Sequence, residues 1–114
     1  MTTIYHNPKC SKSRRTLSLL REHGIEPEIV LYLDTPIDAD LINGLLTKLS
    51  LSAAELLRKS EPDYKRLGLS DKSLSNEHMI NAMVQFPKLI ERPVVVFKDR
   101  AVIGRPPEKV LELI

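Results

Sequence analysis

The feature that most constrains this chain is a double change of hydrophobic period within its first 33 residues. "TTIYH", residues 2–6, is a short β-like run that ends in the Pro8 turn. From Ser11 the spacing becomes helical, with the Thr16 methyl, Leu17 and Leu20 on one face and Gly24 as the stop. "EIVLYL", residues 28–33, is then a near-continuous apolar run of strand length, as a strand buried on both faces requires. Strand, helix and strand in about 30 residues is the size of a βαβ unit, which predicts a parallel pair.

The remaining pattern is helical, then extended. "DTPIDADLINGLLTKLS" predicts a second helix, with Thr35 as N-cap and Pro36 at the first position. Ser52 and Glu55 form a capping box that opens a short third helix. A fourth runs from near Ser75 to Phe86, with Met79, Ile80, Met83 and Val84 on its buried side. After Pro87, "VVVF" is a strand, "KDR" a tight turn, "AVI" a returning strand and "PEKVLELI" a terminal helix opened by prolines. The order β-α-β, several helices, β-β-α predicts an α/β chain of thioredoxin-like type. It makes one domain, 1–114, with a helical insertion at about 36–88.

Composition limits what such a domain does. A hydrophobic fraction of 42% and a charged fraction of 28% are those of a globular protein. A net charge of +2 is too mild to predict nucleic-acid binding. No apolar run approaches the roughly 20 residues of a membrane span. "MTTIYHNP" lacks the basic and apolar regions of a signal peptide, which places the expected location in the cytoplasm.

Cys10 is the single cysteine, so an internal disulfide is impossible. His6, His23 and His78 do not combine with it in a familiar zinc spacing, and no metal is expected. If Cys10 does redox work, the second thiol belongs to another molecule.

The stretch "HNPKC" puts that thiol at the predicted N-terminus of the first helix. There the unpaired amides and the positive dipole end favour an anion, and a thiolate's pKa falls below the free value of about 8.5. His6 can assist by hydrogen bonding or as a nearby cation. Lys12 and Arg15 read as a solvated face. A C-x-x-C motif would need cysteine at position 13, where the chain has Ser13, so C-x-x-S remains. A C-x5-R phosphatase loop would need arginine at position 16, where the chain has Thr16. No Gly-rich phosphate loop or dinucleotide fingerprint is present.

Four blocks, "YHNPKCSKSRRTL", "LLRKSEPDYKRLGL", "LIERPVVV" and "IGRPPEKVLEL", are similar to successive blocks of the glutaredoxin-coupled arsenate reductase family, from residue 4 to about 113. The resemblance implies a thioredoxin-like fold with an inserted helical subdomain. It implies Cys10 as nucleophile and His6 as a residue that lowers its pKa, with Ser13 and Arg14 helping to stabilise the thiolate. Arg58, Arg92 and Arg105 would surround the oxyanion, a use suited to permanently charged, bidentate guanidinium groups. Pro93 would stand at the thioredoxin-fold cis-proline position. Arsenate would be reduced to arsenite with glutathione as co-substrate and glutaredoxin as partner, on a monomer with no bound cofactor.

Residues Ser11 and Lys12 depart from the smaller, uncharged residues found in this family, and the chain stops soon after "PPEKVLELI". These features resemble a short, arsenate-reductase-like branch. The competing reading is a glutathione-dependent thiol oxidoreductase or thiol-based regulator using the same cysteine. A polymerase-binding regulator resembling the Spx type fits less well, because those proteins lack the HNP turn and the GRP block.

Overall fold

The structure, a computed structural model, describes residues 2–114. The chain divides into two compact units. One joins the segment up to Pro36 with Arg92–Ile114, and the other is Ile37–Glu91.

The first unit is built on a four-stranded sheet. Its strands are β1 (Thr2–Tyr5), β2 (Glu28–Val30), β3 (Val94–Phe97) and β4 (Arg100–Ile103), in the spatial order β2-β1-β3-β4. β1 and β2 run parallel, with Ile4 opposite Ile29. β1 and β3 run antiparallel, with Ile4 opposite Val95, and β3 turns back into β4. This is the thioredoxin-like arrangement. The hairpin turn places Lys98 at φ 58°, a conformation tight turns demand.

Helix α1 (Ser11–Glu22) follows β1 and stops before Gly24, whose φ of +77° suits a residue without Cβ. Leu17, Leu19 and Leu20 pack with Ile4, Val95, Val110 and Leu113 in one core cluster. The last two come from the terminal segment Pro107–Glu112 and the residue after it. That segment is a 3₁₀ helix and not the ordinary helix predicted from the prolines. A 3₁₀ turn aligns residues three apart, so Val110 and Leu113 both point at the core.

β2 also differs from expectation. It spans only three residues, pairs on one side alone, and leaves Ile29, Leu31 and Leu33 between 37% and 39% exposed. The apolar run "EIVLYL" is an edge strand that breaks into a turn after Val30, with Tyr32 as its one deeply buried side chain.

The second unit is helical: α2 (Ala39–Leu49), α3 (Ala53–Leu56), α4 (Pro62–Arg66) and α5 (Asn76–Gln85), then a 3₁₀ turn at Pro87–Leu89. α5 packs on α2 and α3, and these elements bury Ile42, Leu45, Leu56, Met79, Ile80 and Met83. Helix α2 starts later than predicted. Its N-cap is Asp38, whose carboxylate accepts from the Leu41 amide at 2.8 Å, and not Thr35. The Ser52–Glu55 capping box is present, and Ser75 caps α5.

Candidate active site

The local chain path sets the sulfur's position. After β1 the backbone turns through Asn7, Pro8 and Lys9, and the Cys10 amide donates to the Asn7 carbonyl at 3.0 Å. The Asn7 side chain accepts from the Lys9 amide, closing the turn from inside. Cys10 is then the N-cap residue of α1, with extended backbone angles (φ −95°, ψ 121°). Its sulfur makes no strict capping hydrogen bond, yet it lies where the first-turn amides of the helix converge.

Several groups decide the thiol's ionisation. Burial opposes the charge and pushes the thiol up. Against it act the Ser13 amide, the Arg92 guanidinium through a hydrogen bond and its charge, and the Lys12 amide, and together they hold the thiol below its ordinary value. Arg105 reaches the same sulfur from the far end of the chain, with Nη2 at 3.7 Å. Its Nε donates to the Arg92 carbonyl at 2.8 Å, so one arginine is braced on the backbone of the other. Arg92 Nε is buried and has no hydrogen-bond partner among the described residues.

Ser13, His6 and Asn7 form a buried polar knot behind the turn. The Ser13 hydroxyl lies 2.6 Å from His6 Nδ1 and accepts from the Asn7 amide at 3.1 Å. Since that hydroxyl accepts from one side, its own proton is available to His6 Nδ1. Burial first, then the charges of Arg21 and Arg14, hold the imidazole pKa below its ordinary value. A lowered pKa favours the neutral imidazole, and the geometry gives His6 a hydrogen-bonding contact with Ser13. The imidazole is linked to the first turn of α1 through the Ser13 hydroxyl. Arg14 is exposed and donates to the Pro8 carbonyl at 2.8 Å, fastening the outer side of the turn.

The peptide bonds Arg92–Pro93 and Arg105–Pro106 are both cis. Pro93 is buried, and its carbonyl accepts from the Gly104 amide at 2.9 Å. A Cβ on Gly104 would stand 2.5 Å from Thr16 Oγ1 and 2.8 Å from Pro93 Cγ, so only glycine allows this close stacking. Gly104 and Asn7 shape this turn and stack without being among the candidates read from the sequence. The "GRP" and "HNP" triplets were the available signals.

Arg58 belongs to the helical unit. It lies 3.9 Å from Glu61 and 3.8 Å from Glu91, side-chain atom to side-chain atom. Its carboxylate partners were not anticipated. In the sheet unit, Cys10 is thus brought together with Arg92 and Arg105, with Ser13 and His6 behind it.

The arrangement of a thiol at a helix N-terminus, flanked by two guanidinium groups, can be set beside known proteins. A model described as the ArsC family matches residues 5–113. The chain belongs to the ArsC family. This ArsC-family chain is 60% identical over 112 residues to "Uncharacterized protein YfgD" of Escherichia coli K12, covering 97% of this chain and 94% of that one. It is 44% identical over 108 residues to an arsenate reductase of Neisseria meningitidis, covering 94% and 92%. A solved arsenate reductase from Vibrio cholerae superposes with a TM-score of 0.97 at 46% identity, covering 99% of this chain and 97% of that one.

Proposed function

We propose that the chain reduces arsenate to arsenite, with Cys10 as the nucleophile and glutathione and glutaredoxin as the source of electrons. The observation that carries this reading is the convergence of Arg92 and Arg105 on a sulfur whose ionisation is already favoured. A thiolate between two permanent cations is a place where a nucleophile and a tetrahedral oxyanion can meet.

In this reading the thiolate attacks arsenic(V), and one arsenate oxygen leaves as water after protonation. Glutathione displaces a second oxygen as water, giving an arsenic centre with two sulfur ligands. A glutaredoxin thiol attacks the glutathione sulfur, and the arsenic–sulfur electron pair stays on arsenic, which becomes arsenic(III). Water then releases arsenite and restores the Cys10 thiol. Arg92 and Arg105 stabilise the oxyanion through these steps, with Arg58 as a further oxyanion ligand by family resemblance. The reading describes a cytoplasmic monomer with glutathione as co-substrate.

The test is arsenate-dependent NADPH consumption with glutathione, glutaredoxin and glutathione reductase supplied. A rate that vanishes in Cys10→Ser supports the reading; an arsenate-dependent rate no higher than in that variant removes it. Thiol exchange with glutathione that needs no arsenate would favour the thiol oxidoreductase instead.

A further inference from the structure

The main chain fixes Arg58 before its side chain is considered. Leu57 and Ile90 form an isolated antiparallel bridge. On either side of it, the Arg58 amide donates to the Leu89 carbonyl at 2.6 Å and the Glu91 amide to the Leu56 carbonyl at 2.9 Å. This short ladder brings positions 58 and 91 together, and Glu61 follows three residues after Arg58. The guanidinium therefore meets two carboxylates, Nε at 3.9 Å from Glu61 and Nη1 at 3.8 Å from Glu91. All three side chains are largely withdrawn from water, at 23%, 19% and 26% exposure, so their charges are less screened than surface charges.

Two properties follow. Both separations exceed hydrogen-bond range, so these carboxylates attract the guanidinium without occupying its N–H groups. Arg58 Nε is buried and has no hydrogen-bond partner among the described residues. Two carboxylates also stand close to one guanidinium, which lessens the pull of Arg58 on an approaching anion. Arg58 is held in place by carboxylates that stop short of hydrogen bonding to it, and its attraction for an anion is reduced.

We propose that Glu61 and Glu91 are positioning residues for Arg58 and act as a carboxylate brake on its oxyanion affinity. The inference rests on the reading of Arg58 as an oxyanion ligand. It assigns to Glu91, which directly precedes Arg92, a role of opposite sign to that of its arginine neighbours.

The experiment is calorimetric titration of sulfate into the full chain at low ionic strength. Glu91→Gln and Glu61→Gln each tighten sulfate binding by about fivefold, the upper range for one partly screened charge pair. Glu91→Asp, which keeps the charge, stays near the parent. Arg58→Ala weakens binding, and adding Glu91→Gln to it gives no gain. In the arsenate assay, Glu91→Gln lowers KM by a similar factor and moves kcat less.

Unchanged or weaker sulfate binding in the Gln variants overturns the brake, as does a gain that persists without Arg58. Sulfate affinity indifferent to Arg58→Ala also overturns it. Where far-UV circular dichroism shows one Gln variant unfolded, the other decides. A parent chain that turns over no arsenate removes the proposed reaction, while the sulfate titration still decides the brake.

Discussion

Ser13 stands where a second thiol would complete C-x-x-C, and its hydroxyl ties the turn before Cys10 together instead. It serves His6 and the Asn7 amide at once, with no exposure to water. Ser13→Ala leaves both buried partners unsatisfied, and it should cost about 1–3 kcal/mol in urea unfolding. Its Cys10 alkylation profile should shift towards higher pH as the turn loosens. The sulfur makes its own contribution to pH-dependent stability. Because the folded state lowers the thiol pKa, the linked stabilisation is complete above the unfolded thiol's pKa and lost as pH falls through the folded one. Cys10→Ser should flatten that part of the stability profile, and Arg92→Ala should raise the alkylation midpoint. His6 carries the same sign at lower pH. Its folded pKa lies below the ordinary 6.5, so stability present above that value falls as acid forces the buried imidazole to charge. Gly104→Ala tests the stack under Pro93. The added methyl must displace Thr16 or the proline ring, and overpacking of this kind costs about 1–3 kcal/mol by urea midpoint.

Elements were legible in the sequence where their signals were local. The capping box at Ser52 and the N-cap at Ser75 are short-range hydrogen bonds, and a reader of residues can place them. The position of Cys10 at the start of α1 was legible for the same reason. Thr35 and Pro36 gave an equally plausible local signal but lost to Asp38, because the helix begins only where a carboxylate reaches the Leu41 amide. Asp38→Ala should therefore cost about 1 kcal/mol, while Thr35→Ala should stay within a few tenths, both by thermal or urea unfolding. The edge status of β2 could not be read, since an apolar run looks alike whether one or two neighbours pair with it. Helix α4 was missed because five residues carry no full hydrophobic period, and it buries none of its side chains. Among the candidate site residues, Cys10 is marked by its place before the first helix, and Arg92 and Arg105 only by the resemblance of sequence blocks. Their convergence in space, and the carboxylates around Arg58, depend on pairings between distant strands and turns that no local pattern encodes.

At the scale of the whole chain, the sulfur reports on how both ends meet. β1 pairs with β3, so Ile4 lies opposite Val95, and the arginines at Cys10 follow from that long-range closure. Val110 and Leu113 complete the same core from the last residues of the sequence. The lowered thiol pKa should therefore exist only while the sheet is closed. In a urea series read at one pH, the fast alkylation that marks the thiolate should be lost in the same transition as far-UV ellipticity. Leu113→Ala removes a side chain that is 4% exposed, so both transitions should move together to lower urea, by about 2–5 kcal/mol. Below its own transition, that variant should keep the parent's alkylation profile, because nothing at the sulfur has changed. Loss of the reactive thiolate well before the ellipticity would mean that the N-terminus of α1 opens by itself. The arginines would then be held by local turns, and closure of the sheet would not be what brings them to Cys10.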